Sequence, residues 1–182
     1  MDVVRVLAFA GSLRKGSLHK GLIETSKSLA PEGMEILAFD LAPIPLYNMD
    51  LESDWPKPVL DFKAAIASAD GVLIACPEHN YSFSGVLKNA IDWASRPITE
   101  TPFRNKPVIL QSTSTGMMGG SRAQYHLRQV LGYLECRQMQ FPEVFIPNAK
   151  DKFDEKVRLI DERGTAQIRK QLEAFKQFLA PG

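Results

Sequence analysis

The chain has 182 residues, of which 45% are hydrophobic, 24% charged and 9% aromatic, an ordinary globular composition that excludes disordered and fibrous classes. Lysine plus arginine (22) nearly balances aspartate plus glutamate (21), and a net charge of +1 provides no field to draw in nucleic acid or an anionic membrane. Two cysteines, Cys76 and Cys136, without C-x-x-C spacing, and three dispersed histidines argue against a disulfide framework or a metal site and point to a reducing compartment.

The N-terminal MDVVRVLAFAGS has acidic Asp2 where a secretory leader has a basic stretch, and it runs straight into a polar loop bearing Arg14. Residues 3–10, apolar and β-branched, read as a first strand that stops at Gly11-Ser12. Leu18, Leu22 and Leu29 recur at helical spacing over residues 17–30, and Pro31-Glu32-Gly33 closes that helix. MEILAF at 34–39 is a second strand. The following LAPIPLYNMDLESDWPKP is too rich in proline for a regular element and reads as a long loop anchored by Tyr47 and Trp55. Val59, Phe62 and Ile66 stripe a helix over residues 59–68, and Asp70-Gly71 introduces VLIAC at 72–76, a buried third strand. Ser82 or Ser84 caps a helix reaching Trp93, with Val86, Leu87, Ala90, Ile91 and Ala94 on one face. KPVILQS at 106–112 is the fourth strand; a glycine-rich loop at 116–120 then leads into a helix striped by Ala123, Leu127, Val130 and Leu134. A fifth strand is expected near residues 139–146, and Ile168, Leu172, Phe175 and Leu179 mark a terminal helix.

Strands alternating with helices, several apolar throughout, predict one α/β domain over residues 1–182. At this length the economical architecture is a flavodoxin-like three-layer sandwich with a five-stranded parallel sheet in the order 2-1-3-4-5. A dinucleotide Rossmann domain would need a sixth strand and G-x-G-x-x-G, which is absent. No apolar run nears the ~18–20 residues that span a bilayer, so no membrane segment is expected and the cytoplasm is the expected location.

In such sheets ligands bind beyond the carboxyl ends of the strands at the switch point, so the loops after strands one, three and four should carry function. The first, GSLRKGS at 11–17, gathers glycines, serines and Arg14 where a helix begins, a volume suited to a phosphate. It is not a P-loop, because Ser17 stands where that motif needs lysine. A plainer reading, with Ser17 capping the helix and Gly11 turning the chain, leaves Ser12 and Arg14 unexplained. The second loop, PEHNYSFSG at 77–85, can offer backbone donors and acceptors to a flat heteroaromatic edge, although His79 and Tyr81 taken singly read as packing or surface residues. Glu78 reads as a satisfied loop carboxylate and Cys76 as a small buried hydrophobe rather than a nucleophile. The glycines of the third loop, TSTGMMGG at 113–120, let backbone approach a ligand beside the adaptable apolar Met117-Met118.

At GSLRKGSLHK (11–20), PEHNYSFSGVLKNAIDWASRP (77–97) and GSRAQYHLRQ (120–129) the sequence resembles the NADPH-dependent FMN reductase family, in its bacterial quinone and chromate reductase branch. The resemblance implies bound FMN, its phosphate on Ser12, Arg14 and Ser17, with His19 where the family commonly has Asn. It implies that Pro77, Glu78, His79 and Asn80 border the isoalloxazine ring, His79 replacing a usual Tyr, and that Ser114, Thr115 and Gly116 approach it from strand four. No catalytic side chain is implied, since flavin carries the hydride chemistry. NADPH or NADH would reduce the flavin and leave, and a quinone would take its place, with chromate, azo compounds or free flavin as secondary acceptors, in a ping-pong scheme. The family also implies homodimers or homotetramers with an interface network matched by Arg122, Tyr125 and Glu143; those three read equally as a solvated helix face and a loop carboxylate.

Two other classes use this fold. A flavodoxin-type carrier would hold the same FMN and pass single electrons to protein partners, but flavodoxins resemble one another in being strongly acidic and this chain is near neutral. A phosphorylated receiver domain needs an acceptor Asp at the end of strand three, where Ala75-Cys76 stand.

Overall fold

The computed structural model describes residues 3–180; Met1, Asp2, Pro181 and Gly182, included in the expected N-terminal segment and domain limits, lie outside the described residues. Strand β1 (Val4–Ala10) runs into helix α1 (Leu18–Ser28), which begins one residue after Ser17 because the Ser17 side chain caps it, accepting from the Lys20 amide. Strand β2 (Met34–Phe39) is followed by the proline-rich loop, which contains a short 3-10 turn at Met49–Ser53. Helix α2 (Lys57–Ser68) starts two residues before its apolar stripe, with Pro58 in the first turn, where a missing N–H breaks no helical bond. Strand β3 (Gly71–Ala75) is buried throughout. Then come the two-residue strands β4 (Glu78–His79) and β5 (Ser82–Phe83), helix α3 (Gly85–Ala94), strand β6 (Pro107–Thr113) and helix α4 (Ser121–Tyr133). Strands β7 (Arg137–Gln138) and β8 (Val144–Ile146) precede the terminal helix α5 (Glu162–Leu179).

The main sheet is parallel in the order β2-β1-β3-β6, with β7 and β8 both paired to the outer side of β6. This is the expected 2-1-3-4-5 order. The single strand expected near residues 139–146 is corrected: β7 begins earlier, Met139 N still donates to Val108 O at 3.0 Å, and residues 140–143 then leave the ladder, where Pro142 has no N–H to contribute. Two buried glutamines satisfy carbonyls around this break. Gln171 Nε2 donates to Pro142 O at 2.8 Å and Leu110 O at 3.1 Å, while Gln124 Nε2 donates to Val144 O at 2.9 Å.

Helices α1 and α5 cover one face of the sheet, packing Leu22, Ile168, Leu172 and Phe175 against Val6, Ala8, Leu73 and Ile109. Helices α2, α3 and α4 cover the other, where Phe62, Ile91, Trp93 and Leu127 meet Phe9, Val72 and Leu110. Tyr47 and Trp55 do anchor the proline-rich loop, their rings 4.9 and 5.6 Å from that of Trp93. Asn89 completes the anchor by accepting from the Tyr47 amide at 2.7 Å and donating to Pro45 O at 2.8 Å. Among the described residues no helix is long and apolar enough to cross a membrane.

Residues 152–160 fold back over α1. Phe153 bridges to Leu159, whose amide donates to Thr25 Oγ1 at 3.1 Å. Val157, a β-branched residue strained at φ +63°, aims its carbonyl at Gly21, where a Cβ would lie 1.8 Å from that oxygen. Gly21→Ala is therefore expected to cost about 2–3 kcal/mol by forcing this segment off the helix, read as a lower urea midpoint. An unchanged midpoint would show that the segment yields freely.

Candidate functional site

The sheet register brings three loops to one level, because Ala10, Ala75 and Gln111 face one another across β1, β3 and β6. In the first loop Gly11 and Ser17 are buried, Ser12 is half-buried and residues 13–16 are exposed. Helix α1 begins here with no acidic residue in its first turn, so its positive end is left uncompensated. Arg14, exposed in the loop that leads into this helix, pairs with no acidic side chain among the described residues. Together these groups form an anion-binding surface.

The second loop is not the plain loop expected from sequence. Cys76 and Pro77 are buried; then β4 and β5 form an antiparallel hairpin, Glu78 facing Phe83 and His79 facing Ser82, turned by Asn80 at φ +50° and Tyr81 at φ +67°. That turn carries no glycine, and a tyrosine in the left-handed region is strained. Arg122 on α4 holds the hairpin in place: its Nε donates to Glu78 Oε1 at 2.6 Å, and its guanidinium lies 3.8 Å over the Tyr81 ring. The Glu78 side chain is 9% exposed and its Oε2 has no partner, so the carboxylate is half satisfied rather than the fully satisfied group expected. Of the two candidate caps for α3, Ser84 serves; Ser82 Oγ instead lies 2.8 Å from His126 Nδ1.

In the third loop Ser114 is half-buried and residues 115–118 are exposed. Gly119 and Gly120 take positive φ; a Cβ on Gly120 would lie 2.7 Å from that of Ser112, so only glycine fits. Ser112 Oγ donates to Gly119 O at 2.6 Å and accepts from Gln124 Nε2 at 2.8 Å, bracing the loop from below. Asn148 N donates to Gly116 O at 3.1 Å and Ala149 N to Ser114 O at 3.0 Å, tying the loop to the chain after β8.

The expected phosphate, ring and strand-four residues thus lie along one edge, and His19 lies beneath them. Its imidazole faces the carbonyls of Cys76 and Thr113, the ends of β3 and β6, and its Nε2 is buried without a partner. Burial, with His79 nearby, pushes its pKa down to about 4, so the ring is neutral at physiological pH. Burial pushes the thiols of Cys76 and Cys136 up to about 12, in keeping with the reading of Cys76 as inert. Arg122, Tyr125 and Glu143 do not form one network within the chain: Arg122 turns to Glu78, while Tyr125 Oη donates to Glu143 Oε2 at 3.4 Å. The sequence marked Ser84 as a candidate helix cap but gave no sign of its bond to Gly11 O, 73 residues away, and it gave no functional role to Ser112, whose partner lies in a loop with no signal of its own.

Because His19 resists protonation in the fold, the unfolded chain takes up the proton first as pH falls. The stability linked to it is intact above pH 6.5 and drains away between 6.5 and about 4. His19→Asn should flatten this part of the pH–stability profile by about 3 kcal/mol. Chemical unfolding of both proteins across that range checks it, and parallel profiles would contradict the buried neutral ring.

Residues 4–151 match the family described as NADPH-dependent FMN reductase. A NAD(P)H-dependent FMN reductase of Pseudomonas aeruginosa is 45% identical over 176 residues, covering 96% of this chain and 95% of that protein. A quinone reductase of Escherichia coli is 41% identical over 182 residues, covering 98% and 96%. Among solved structures, FerB, a flavoenzyme NAD(P)H:(acceptor) oxidoreductase from Paracoccus denitrificans, is similar with a TM-score of 0.89 and 33% identity over 97% of each chain. On the match over residues 4–151, near-full-length relatives at 45% and 41% identity and the geometry of the three loops, the chain belongs to the NADPH-dependent FMN reductase family.

Proposed function

We propose that this chain is an FMN-dependent NAD(P)H oxidoreductase that reduces quinones, working as a single cytoplasmic domain that self-associates. The observation that carries this reading is the meeting of an uncompensated helix end and a free arginine with a braced hairpin at one sheet edge. The residues fit FMN. A phosphate dianion suits the α1 N-terminus, with Ser12, Arg14 and Ser17 supplying donors. Two of the buried side-chain atoms without partners among the described residues, His19 Nε2 and Glu78 Oε2, belong to residues the resemblance assigns to the cofactor. Pro77, Glu78, His79 and Asn80 border the ring in this reading, with Ser114, Thr115 and Gly116 on its other side.

When bound, FMN supplies the hydride chemistry, accepting reducing equivalents from NAD(P)H and delivering them to the acceptor. The protein's part is position and access. Arg14 neutralises phosphate charge, and the Arg122–Glu78 pair holds the hairpin that borders the ring. Leu13, Tyr81, Met117 and Met118 are exposed large hydrophobic residues in these loops, an apolar lip that suits a flat acceptor such as a quinone. Relatives named quinone reductase and 2-hydroxy-1,4-benzoquinone reductase, the latter from a Burkholderia species and 40% identical over 172 residues, support that substrate class. For self-association the supporting features are the exposed Tyr125 and Tyr133 on α4 and a groove of about 390 Å³ between α3 and α4.

The direct test is the visible spectrum of FMN-reconstituted protein under anaerobic conditions. A bound-flavin band that bleaches with NADPH or NADH and returns with benzoquinone is the expected result. A band indifferent to nicotinamide would favour an electron carrier, and no bound flavin would refute the site. Arg14→Ala should weaken FMN binding about ten- to hundredfold in a flavin titration, through loss of a charge-assisted hydrogen bond. Sedimentation of Arg122→Ala should show a smaller assembly than wild type with the fold intact; identical sedimentation would remove Arg122 from the interface.

A further inference from the structure

Loop one runs out into exposed residues 13–16 and the hairpin into a turn with positive φ at Asn80 and Tyr81, yet one contact joins their bases. Gly11 opens the first loop, Pro77 opens the hairpin and Ser84 closes it. A Cβ on Gly11 would lie 2.7 Å from Ser84 Oγ, 2.8 Å from Pro77 Cδ and 3.0 Å from Leu87 Cβ, so three segments meet there with no room to spare. The Ser84 side chain is buried and its hydroxyl is used in both directions: it donates to Gly11 O at 2.6 Å and accepts from Leu87 N at 3.2 Å. With both bonds made the hydroxyl has no freedom to rotate, and the gap between the two loops is fixed by its length.

The hairpin cannot set this gap by itself. Its ladder has two residue pairs, and a ribbon that short is marginal in water. Arg122 secures its tip through Glu78 and Tyr81, while Ser84 secures its base. Resting on the FMN reading above, we propose that Ser84 is a positioning residue that sets the spacing between the phosphate-binding loop and the ring-bordering hairpin. It therefore favours a ligand that spans both over one that fills either alone. Phosphate and ring are joined by one ribityl chain, so a fixed gap places both ends in register without further ordering.

The capping and tethering roles of Ser84 can be separated, because glycine retains most of the stability of a serine helix cap whereas alanine does not. Neither variant can bridge to Gly11. Dissociation constants for FMN and for riboflavin, which lacks the phosphate, would be measured by flavin fluorescence on wild type, Ser84→Ala, Ser84→Gly and Ser84→Thr, alongside thermal midpoints. The expected result is that Ala and Gly each weaken FMN about tenfold while changing riboflavin less than about twofold, and that Thr restores FMN affinity. Should Ala fail to fold, Gly carries the test. Equal losses for FMN and riboflavin, or FMN affinity that merely follows the thermal midpoint with Gly near wild type, would overturn the proposal. Wild-type protein without saturable FMN binding would instead overturn the functional reading, and this inference with it.

Discussion

One row of the sheet, Ala10–Ala75–Gln111–Val144, sets the height at which every functional loop leaves the fold. Gly11 N donates to Ala75 O at 3.0 Å and Cys76 N to Gln111 O at 2.8 Å, so the ladder continues one residue past the row before the loops part. Gln111 also holds the layer behind it: Ser26 Oγ of α1 donates to its Oε1 at 3.0 Å, and its Nε2 donates to Gln171 Oε1 of α5 at 3.1 Å. A buried amide is costly unless its hydrogen bonds are made. Here meeting that demand locks α1, whose N-terminus faces the anion surface, in register with β6, whose end carries the third loop. The site is thus preorganised from within the core.

Above that row, short polar side chains do what longer elements could not. Ser17 caps α1, Ser84 ties the first loop to the second, Ser112 braces the third and His19 sits beneath the strand ends. Each is buried or half-buried, and each acts on backbone. The parts that face solvent are residues 13–16 and 115–118. Buried base and exposed rim are therefore separated by only a few residues of chain.

The sheet and its helices were legible because burial on both faces writes itself into the chain as unbroken apolar runs such as VLIAC and as helical stripes such as Ile168–Leu172–Phe175. The fifth strand was blurred because it is two short pieces around Pro142, each below the length at which periodicity registers. The hairpin was hidden for another reason. Its turn is Asn-Tyr rather than Asn-Gly, and it is held by Arg122 and Ser84 rather than by local preference, so its signal lies about forty and seventy residues away in sequence. The loops that would carry function were found by topology, and the anion-binding residues by composition. Which hydroxyl holds which carbonyl depends on the folded register and had no local trace.

The two thiols bear on the chemistry proposed for the site. Quinones are electrophiles as well as oxidants, and they add to thiolates. Burial pushes the thiols of Cys76 and Cys136 up to about 12, well away from the thiolate form at neutral pH. Cys76 lies at the end of β3, next to the hairpin that would border the flavin, yet it is fully buried in the apolar core. Under the proposed function, the hydrophobic core that hides Cys76 would also shield it from arylation by a quinone acceptor.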